Sequence, residues 1–173
     1  MKNKISTQRG VTLIEVVMYL GLFTLIIGSV LTSVDSILEA NARGQSKVMV
    51  QEEGAFVLGK IDWALTGIKN ASVSAPQTTL ITNKSDNTFP NPIEIIVTPE
   101  GNVDIKRGGG AAIRLNNSNV TFTCPPGGCF VKTLASGDGI NPESIAADFI
   151  ATSRTPDGLS FSQAFSTVKF IRK

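Results

Sequence analysis

Apolar residues dominate the segment from Val11 to Val34, in which Glu15 is the only charged residue. As a helix rising 1.5 Å per residue, this segment reaches about 36 Å, which exceeds the roughly 30 Å hydrocarbon core of a bilayer. Its few hydroxyl-bearing residues form no continuous polar stripe, whereas a helix of this length in a soluble core would carry polar residues on at least one face. The pattern therefore predicts a membrane-spanning helix over residues 11–34.

From about Asp35 the helical pattern continues but becomes one-sided. Apolar or small residues recur every three or four positions: Val50, Gly54, Val57, Ile61, Ala64 and Ile68. This spacing is typical of a helix whose one face packs on an apolar surface. No proline separates the two stretches. The sequence therefore predicts one long helix over about Val11–Asn70, with a membrane-spanning half over 11–34 and an amphipathic half over 35–70.

Beyond residue 70 the chain consists of short β-type runs separated by proline, glycine and asparagine. The predicted strands are Thr79–Thr82, Ile93–Thr98, Val103–Arg107, Ala112–Leu115, Val120–Cys124, Phe130–Leu134 and Thr167–Ile171. The turn residues Pro99–Asn102 predict a hairpin over Ile93–Arg107, whereas Ser144–Ile150 could form either a helical turn or a strand. Such a sheet has one face to bury, and the apolar face of the amphipathic half of the helix can cover it. The predicted fold class is therefore α+β, with a long N-terminal helix packed on a β-rich head of residues 71–173.

The charge distribution separates a short basic leader, residues 1–10, from the rest of the chain. Lys2, Lys4 and Arg9 belong to this leader. The rest of the chain therefore contains 13 of the 16 basic residues and all 14 acidic residues. A nearly neutral body argues against a nucleic-acid partner. The positive-inside rule places the leader in the cytoplasm and the head beyond the cytoplasmic membrane.

A secretory signal peptide is an alternative, since it also combines a basic start with an apolar core. Its apolar region would run about 7–15 residues and end in a small-x-small cleavage site. The apolar run of this chain is longer, and Ser29–Ser36 contains no Ala-x-Ala sequence. A single-pass membrane helix therefore fits these residues better.

At the membrane edge, the segment Arg9–Glu15 places Gly10 directly after the basic leader and a carboxylate five residues further on. This arrangement resembles the processing signal of type IV prepilins and type II secretion pseudopilins. The resemblance implies that a prepilin peptidase cuts after Gly10 and methylates the new amine of Val11, and that Glu15 is the family's assembly glutamate. The first mature residue is usually phenylalanine in this family, so Val11 departs from its pattern.

The chemistry of these residues agrees with that resemblance. Glycine is flexible and unbranched, which suits a scissile position. A carboxylate within an apolar span costs about 2.5–3.5 kcal/mol and therefore usually has a partner. Cleavage would create one, because the α-amino group of Val11 is positive in the neutral range. In a filament, Glu15 of one subunit could neutralise the amine of the next, so that a misplaced subunit leaves a buried charge. Alternatively, Glu15 is hydrated near the interface and has no role.

Two further features resemble minor rather than major subunits of this family. Major pseudopilins usually carry proline at the position of Thr32. The stretch Leu115–Phe122, which follows a glycine-containing hairpin, looks like the J-class minor pseudopilins and related minor pilins. The resemblance implies other pilin or pseudopilin subunits, the prepilin peptidase, an inner-membrane assembly platform and membrane lipid as partners.

Cys124 and Cys129 are the only cysteines, and two prolines and two glycines separate them. Such a tight turn can bring two β-carbons to the roughly 3.5–4.5 Å that a disulfide requires, and oxidation is expected outside the cytoplasm. Two free thiols, or half of an intermolecular metal site, are the alternatives. Zinc is disfavoured because the chain has no histidine and no other cysteine.

The absence of histidine excludes Ser-His-Asp and Cys-His catalysis. The sequence contains no Walker loop, dinucleotide fingerprint or Gly-x-Ser-x-Gly elbow, and no cofactor is predicted. Asp138–Glu143 offers oxygen ligands for calcium but lacks the EF-hand pattern, and such loops are ordinarily turns. The sequence therefore favours a structural filament subunit over an enzyme. The alternative is a membrane-tethered extracytoplasmic binding domain that never polymerises.

Overall fold

The computed structural model describes residues 12–86, 88–135, 142–154, 158 and 160–171. Within these residues the chain forms one helix, α1 (Leu13–Leu65), followed by nine strands. The strands are β1 (Ile68–Ser74), β2 (Thr79–Lys84), β3 (Ile93–Val97), β4 (Val103–Arg107), β5 (Ile113–Arg114), β6 (Val120–Thr123), β7 (Phe130–Thr133), β8 (Ser144–Arg154) and β9 (Ser160–Phe170). The predicted α+β class, a long N-terminal helix packed on antiparallel sheets, is confirmed.

The chain divides into two units, residues 1–41 and residues 42–173. Within the second unit, α1 packs on the sheets through the predicted stripe. The buried helical residues are Ser46, Val50, Gly54, Val57, Ile61, Ala64 and Leu65. The aromatic ring of Phe165 in β9 fills the space beside Gly54, where a β-carbon would overlap three ring atoms. The absence of a side chain at Gly54 therefore allows β9 to approach the helix closely.

The predicted end of the helix at Asn70 is wrong, because α1 ends at Leu65 and Ile68 already begins β1. Gly67 has φ of +64°, the left-handed conformation with which many helices end. Ile68 is buried, so it belongs to the core as its spacing indicated, but as a strand residue.

Lys84 of β2 caps the C-terminal end of α1, which has no basic residue in its own last turn. The Lys84 ammonium donates hydrogen bonds to the carbonyls of Trp63 and Thr66 and lies 4.8 Å from the centroid of the Trp63 ring. Burial lowers the pKa of Lys84, and Asp86 and Asp62 partly oppose this shift. The cation thus gives the Thr66 carbonyl a donor at a helix end that lacks intrahelical ones, and it is a second donor to the Trp63 carbonyl, which also accepts from the Thr66 N–H at 3.2 Å.

The first sheet is an antiparallel meander in the order β1-β2-β3-β4-β5. The predicted hairpin is confirmed, since Ile93 pairs with Arg107 and Val97 with Val103. Gly101 has φ of +82° and closes the turn between these strands. The strand β1 was not predicted, because its first residues were assigned to the helix.

In the second sheet β8 pairs with β9 along its whole length, from Ser144↔Phe170 to Arg154↔Ser160. Strands β6 and β7 both pair with β8 and therefore share its other edge. The segment Ser144–Ile150, for which helix and strand were both considered, belongs to β8. Strand β9 begins at Ser160, seven residues before the predicted start at Thr167.

One hydrophobic core joins the second half of α1 to both sheets. Phe149 of β8 is central to it, because its ring lies 5.3 Å from that of Phe122 and 5.6 Å from that of Phe165. Ile61 of α1 and Ile95 of β3 are also at most 1% exposed. The core therefore fixes the head against the amphipathic half of the helix.

Candidate functional site

The first unit presents an apolar helical surface that nothing in its described part covers. Every residue from Thr12 to Asn41 is exposed, and large side chains such as Leu13 and Leu25 are 85% and 74% exposed. In the described part of the chain, α1 is the one helix that is long and apolar enough to cross a membrane. The structure therefore supports a single-pass anchor.

Hydroxyl groups within the apolar segment are satisfied inside the helix itself. Four of them, Thr24, Ser29, Thr32 and Ser33, donate to a backbone carbonyl three or four residues earlier at 2.8–2.9 Å, and Ser36 just beyond the segment does the same. Hydrocarbon offers no hydrogen-bond partner, so an unsatisfied polar group there costs several kcal/mol. These internal bonds make the polar residues of the segment compatible with an apolar environment.

Glu15 lies in the first turn of α1, three residues after the cap of the helix. Its backbone N–H lies 3.4 Å from the hydroxyl oxygen of Thr12 and 3.1 Å from the Thr12 carbonyl oxygen. The sequence Thr-x-x-Glu is that of a capping box, of which the structure shows the half made by the Thr12 hydroxyl. A carboxylate at this position also complements the positive end of the helix dipole. The spacing of Thr12 and Glu15 is the sequence signal for this cap, which the prediction did not use.

Tyr19 is a second partner of Glu15 that the prediction missed. Its hydroxyl donates to Glu15 Oε1 at 3.3 Å, because residues four apart lie on the same face of a helix. The carboxylate is therefore partnered on the exposed apolar surface. The predicted cleavage and methylation residues, Gly10 and Val11, lie outside the described residues.

The Cys124–Cys129 disulfide is present, with the two Cα atoms 4.6 Å apart. The bonded pair spans the gap between β6 and β7, where residues 124–129 stand opposite only Asp148 and Phe149 of β8. The backbone N–H groups of Cys129 and Phe130 both donate to the carbonyl of Gln77, at 3.0 Å. The disulfide therefore closes the loop between β6 and β7, and the hydrogen bonds to Gln77 attach the end of this loop to the β1–β2 turn.

The stretch from Leu115 to Phe122 contains two asparagines that connect separate elements. The buried Asn116 side chain accepts from the Val103 N–H at 2.8 Å and donates to the Val120 carbonyl at 2.7 Å. Asn117 donates to Glu53 Oε1 of α1 at 2.8 Å. These residues therefore have a structural role in joining β4, β6 and the helix.

The described residues include no group of three or more metal-ligating side chains that could hold a metal ion. Of the loop considered for calcium, Asp138 lies outside the described residues. Glu143 is described and forms an ion pair with Lys132 at 2.6 Å. The ammonium of Lys132 also donates to the Ala71 carbonyl at 2.6 Å, so this carboxylate is part of a contact between β7 and β1.

Comparison of the chain with protein-family models, curated proteins and solved structures gives no match.

Proposed function

We propose that this chain is a structural subunit, and specifically a minor one, of a type IV pilus or type II secretion pseudopilus. A prepilin peptidase would cut it between Gly10 and Val11, and the N-terminal helix would then enter the filament. The observation that supports this most directly is the exposed apolar half of α1, with Glu15 in its first turn.

An exposed apolar surface of this size indicates a membrane or a protein partner. Lipid would cover it before assembly, and the helices of other subunits would cover it in the filament. Both environments exclude water, which is consistent with the internal hydrogen bonds of the hydroxyl groups.

Glu15 is the residue that distinguishes assembly from simple anchoring. Its carboxylate costs about 2.5–3.5 kcal/mol in the apolar span, and a single hydrogen bond from the Tyr19 hydroxyl leaves its charge unneutralised. The methylated amine of Val11 in a neighbouring subunit supplies the opposite charge. An axial shift would leave both charges buried and unpaired, which is strongly destabilising, so the pair sets the register of the subunits.

The head would lie outside the cytoplasm. The leader carries three basic residues, which the positive-inside rule retains in the cytoplasm. The Cys124–Cys129 disulfide supports the same orientation, because disulfides persist in oxidising compartments. Membrane lipid, the prepilin peptidase, the inner-membrane assembly platform and the other subunits are the proposed partners, and no enzymatic activity is proposed.

Substitution of Glu15 tests this function. We expect Glu15→Leu to give stable, membrane-located and normally cleaved protein that fails to join or initiate filaments, and Glu15→Asp to be intermediate. Glu52→Leu is the matched control, because Glu52 is exposed on the same helix outside the apolar segment. The measurements are filament counts and co-purification with other pilin-like subunits.

A membrane-tethered binding domain predicts a different result, namely easier insertion of Glu15→Leu and unchanged function, because a charge is removed from an apolar span. Unaltered assembly of Glu15→Leu would refute the charge-pair mechanism even if cleavage after Gly10 were demonstrated.

A further inference from the structure

We infer that the free edge of β9 is a strand-addition site for an extended segment of a different polypeptide that carries a basic residue. Strand β9 pairs with β8 over eleven consecutive residues without a register shift. Within the described part of the chain, no strand pairs with the second edge of β9. This site belongs to the second unit and goes beyond the proposed role of Glu15.

The edge of β9 lacks the features that usually prevent strand addition, which are prolines, free charges and bulges. It contains no proline, and its one charged residue, Lys169, forms an ion pair with Asp62 of α1 at 2.6 Å. Eleven residues of strand present a row of N–H and C=O groups about 36 Å long. Another extended polypeptide matches such a row along its length, whereas a lipid or a small molecule does not.

The charge on the outward face of the second sheet indicates which charge the partner carries. From Ser144 to Thr152 the outward residues of β8 alternate with buried ones, and Asp148 is the one charged residue among them. The Asp148 carboxylate makes no hydrogen bond or ion pair with the described residues. Its neighbour on β9 is the small Ser166. A lysine or arginine on an added strand opposite Ser166, about 10 Å from β8, can extend over this serine to Asp148.

A second copy of β9 cannot supply that charge. The outward residues of β9 are Ser160, Ser162, Ala164, Ser166, Val168 and Phe170. Lys169 lies on the opposite face of β9 and forms an ion pair with Asp62 of α1, so a second β9 strand offers Asp148 no cation on the outward face. A strand of a different chain, with a lysine or arginine on that face, supplies the complementary charge.

A groove at the C-terminal end of β9 offers space for a side chain of the added strand. Its volume is about 450 Å³, and it is lined by Leu65–Ile68 and Val168–Ile171. Val168 and Phe170 beside it are 53% and 60% exposed. An apolar residue near one end of the added strand would cover this surface.

The test uses the full chain in detergent micelles and synthetic eleven-residue peptides of alternating valine and threonine. One series carries a single lysine at each position in turn, a second carries glutamate instead, and a third is N-methylated at alternate amides. Fluorescence anisotropy measures binding, and hydrogen exchange locates it. We expect protection at β9, no binding of N-methylated peptides, and about two- to five-fold tighter binding of the best lysine peptide than of its glutamate counterpart.

Charge reversal at Asp148 should invert this preference, so Asp148→Lys should favour the glutamate peptides. Asp104→Lys, on the half-exposed β4 of the other sheet, is the matched control and should leave the preference unchanged. Glu15→Leu should also leave peptide binding unchanged, which separates this site from the proposed function.

Three results would overturn the inference. The first is no saturable binding by any peptide, or binding that survives N-methylation. The second is a charge preference that Asp148→Lys does not alter. The third is self-association of the chain in sedimentation equilibrium that Ser166→Lys abolishes, because the occupant would then be a second copy.

Discussion

Gly54 and Gly59 lie on the same helix, but we expect substitution by alanine to have opposite effects on the stability of the protein at these two positions. A β-carbon at Gly54 would overlap three ring atoms of Phe165, and even the farthest of them, Cε1, would be 2.6 Å away. Nonbonded carbon atoms prefer separations of about 3.5–4.0 Å, so the ring must move. A β-carbon at Gly59 meets no atom within 4 Å.

The expected magnitudes combine helix propensity with packing. Alanine gains up to about 1 kcal/mol over glycine in a helix interior, whereas displacement of Phe165 from the core costs about 1–3 kcal/mol. The Phe149–Phe165 stacking contact at 5.6 Å would be disturbed as well. We therefore expect Gly54→Ala to destabilise the protein by about 1–2 kcal/mol and Gly59→Ala to stabilise it by up to about 1 kcal/mol.

Thermal unfolding of the full chain in detergent micelles, followed by circular dichroism, measures both effects. For a chain of this size a change of 1 kcal/mol moves the Tm by about 2–4 °C, so the two variants should move in opposite directions. Phe165→Leu should reduce the penalty of Gly54→Ala, since a smaller side chain can yield to the new methyl group. A Gly54→Ala variant as stable as Gly59→Ala would refute the packing of β9 on the helix through this position.

Four further predictions concern single contacts and processing. Replacement of Cys124 and Cys129 by serine should lower the free energy of unfolding by about 2 kcal/mol, because the loop is short; ready alkylation of the unreduced native protein would contradict the disulfide. Lys84→Met should cost about 1–3 kcal/mol in denaturant unfolding, since the Thr66 carbonyl loses its donor and the Trp63 carbonyl loses its charged donor. Asn116→Ala should cost about 2 kcal/mol or more, because the Val103 N–H loses its acceptor and the Val120 carbonyl loses a donor. Gly10→Val should leave the leader attached while membrane insertion persists, as mass spectrometry of the membrane fraction would show.

Two surface variants are controls for the stability measurements. Lys47 and Asn119 are exposed, and no side-chain contact of the kind made by Lys84 or Asn116 joins them to another element in the described residues. Lys47→Met and Asn119→Ala should therefore change the free energy of unfolding by less than about 0.5 kcal/mol. Equal losses in test and control variants would contradict the roles of Lys84 and Asn116. Normal leader removal in Gly10→Val would contradict the peptidase assignment.

The packed face of α1 was predictable because burial imposes a helical period on the sequence. Val50, Val57 and Ile61 follow that period and are at most 1% exposed. The end of the helix was not predicted, because Ile68 continues the same spacing. The left-handed backbone of Gly67 ends the helix, and sequence spacing does not reveal a dihedral angle.

Strand β9 was only partly predicted, because serine, alanine and glutamine dominate its first half. Its strand character depends on Phe161 and Phe165, which alternate with exposed residues and pack against the core. In the candidate site, the contact of Thr12 with Glu15 and that of Tyr19 with Glu15 could have been predicted from the sequence, because these residues are three and four positions apart in a helix. The Asn117–Glu53 hydrogen bond joins residues 64 positions apart, so only the folded structure reveals it.

The N-terminal residue of the mature protein tests the proposed function most directly. Intact-mass and fragment-ion spectrometry of the protein from membranes would identify it. We predict a chain that begins with N-methylated Val11. A chain that retains Met1 would contradict this account and favour a plain membrane anchor, and a chain that begins near Asp35 would indicate a cleaved signal peptide.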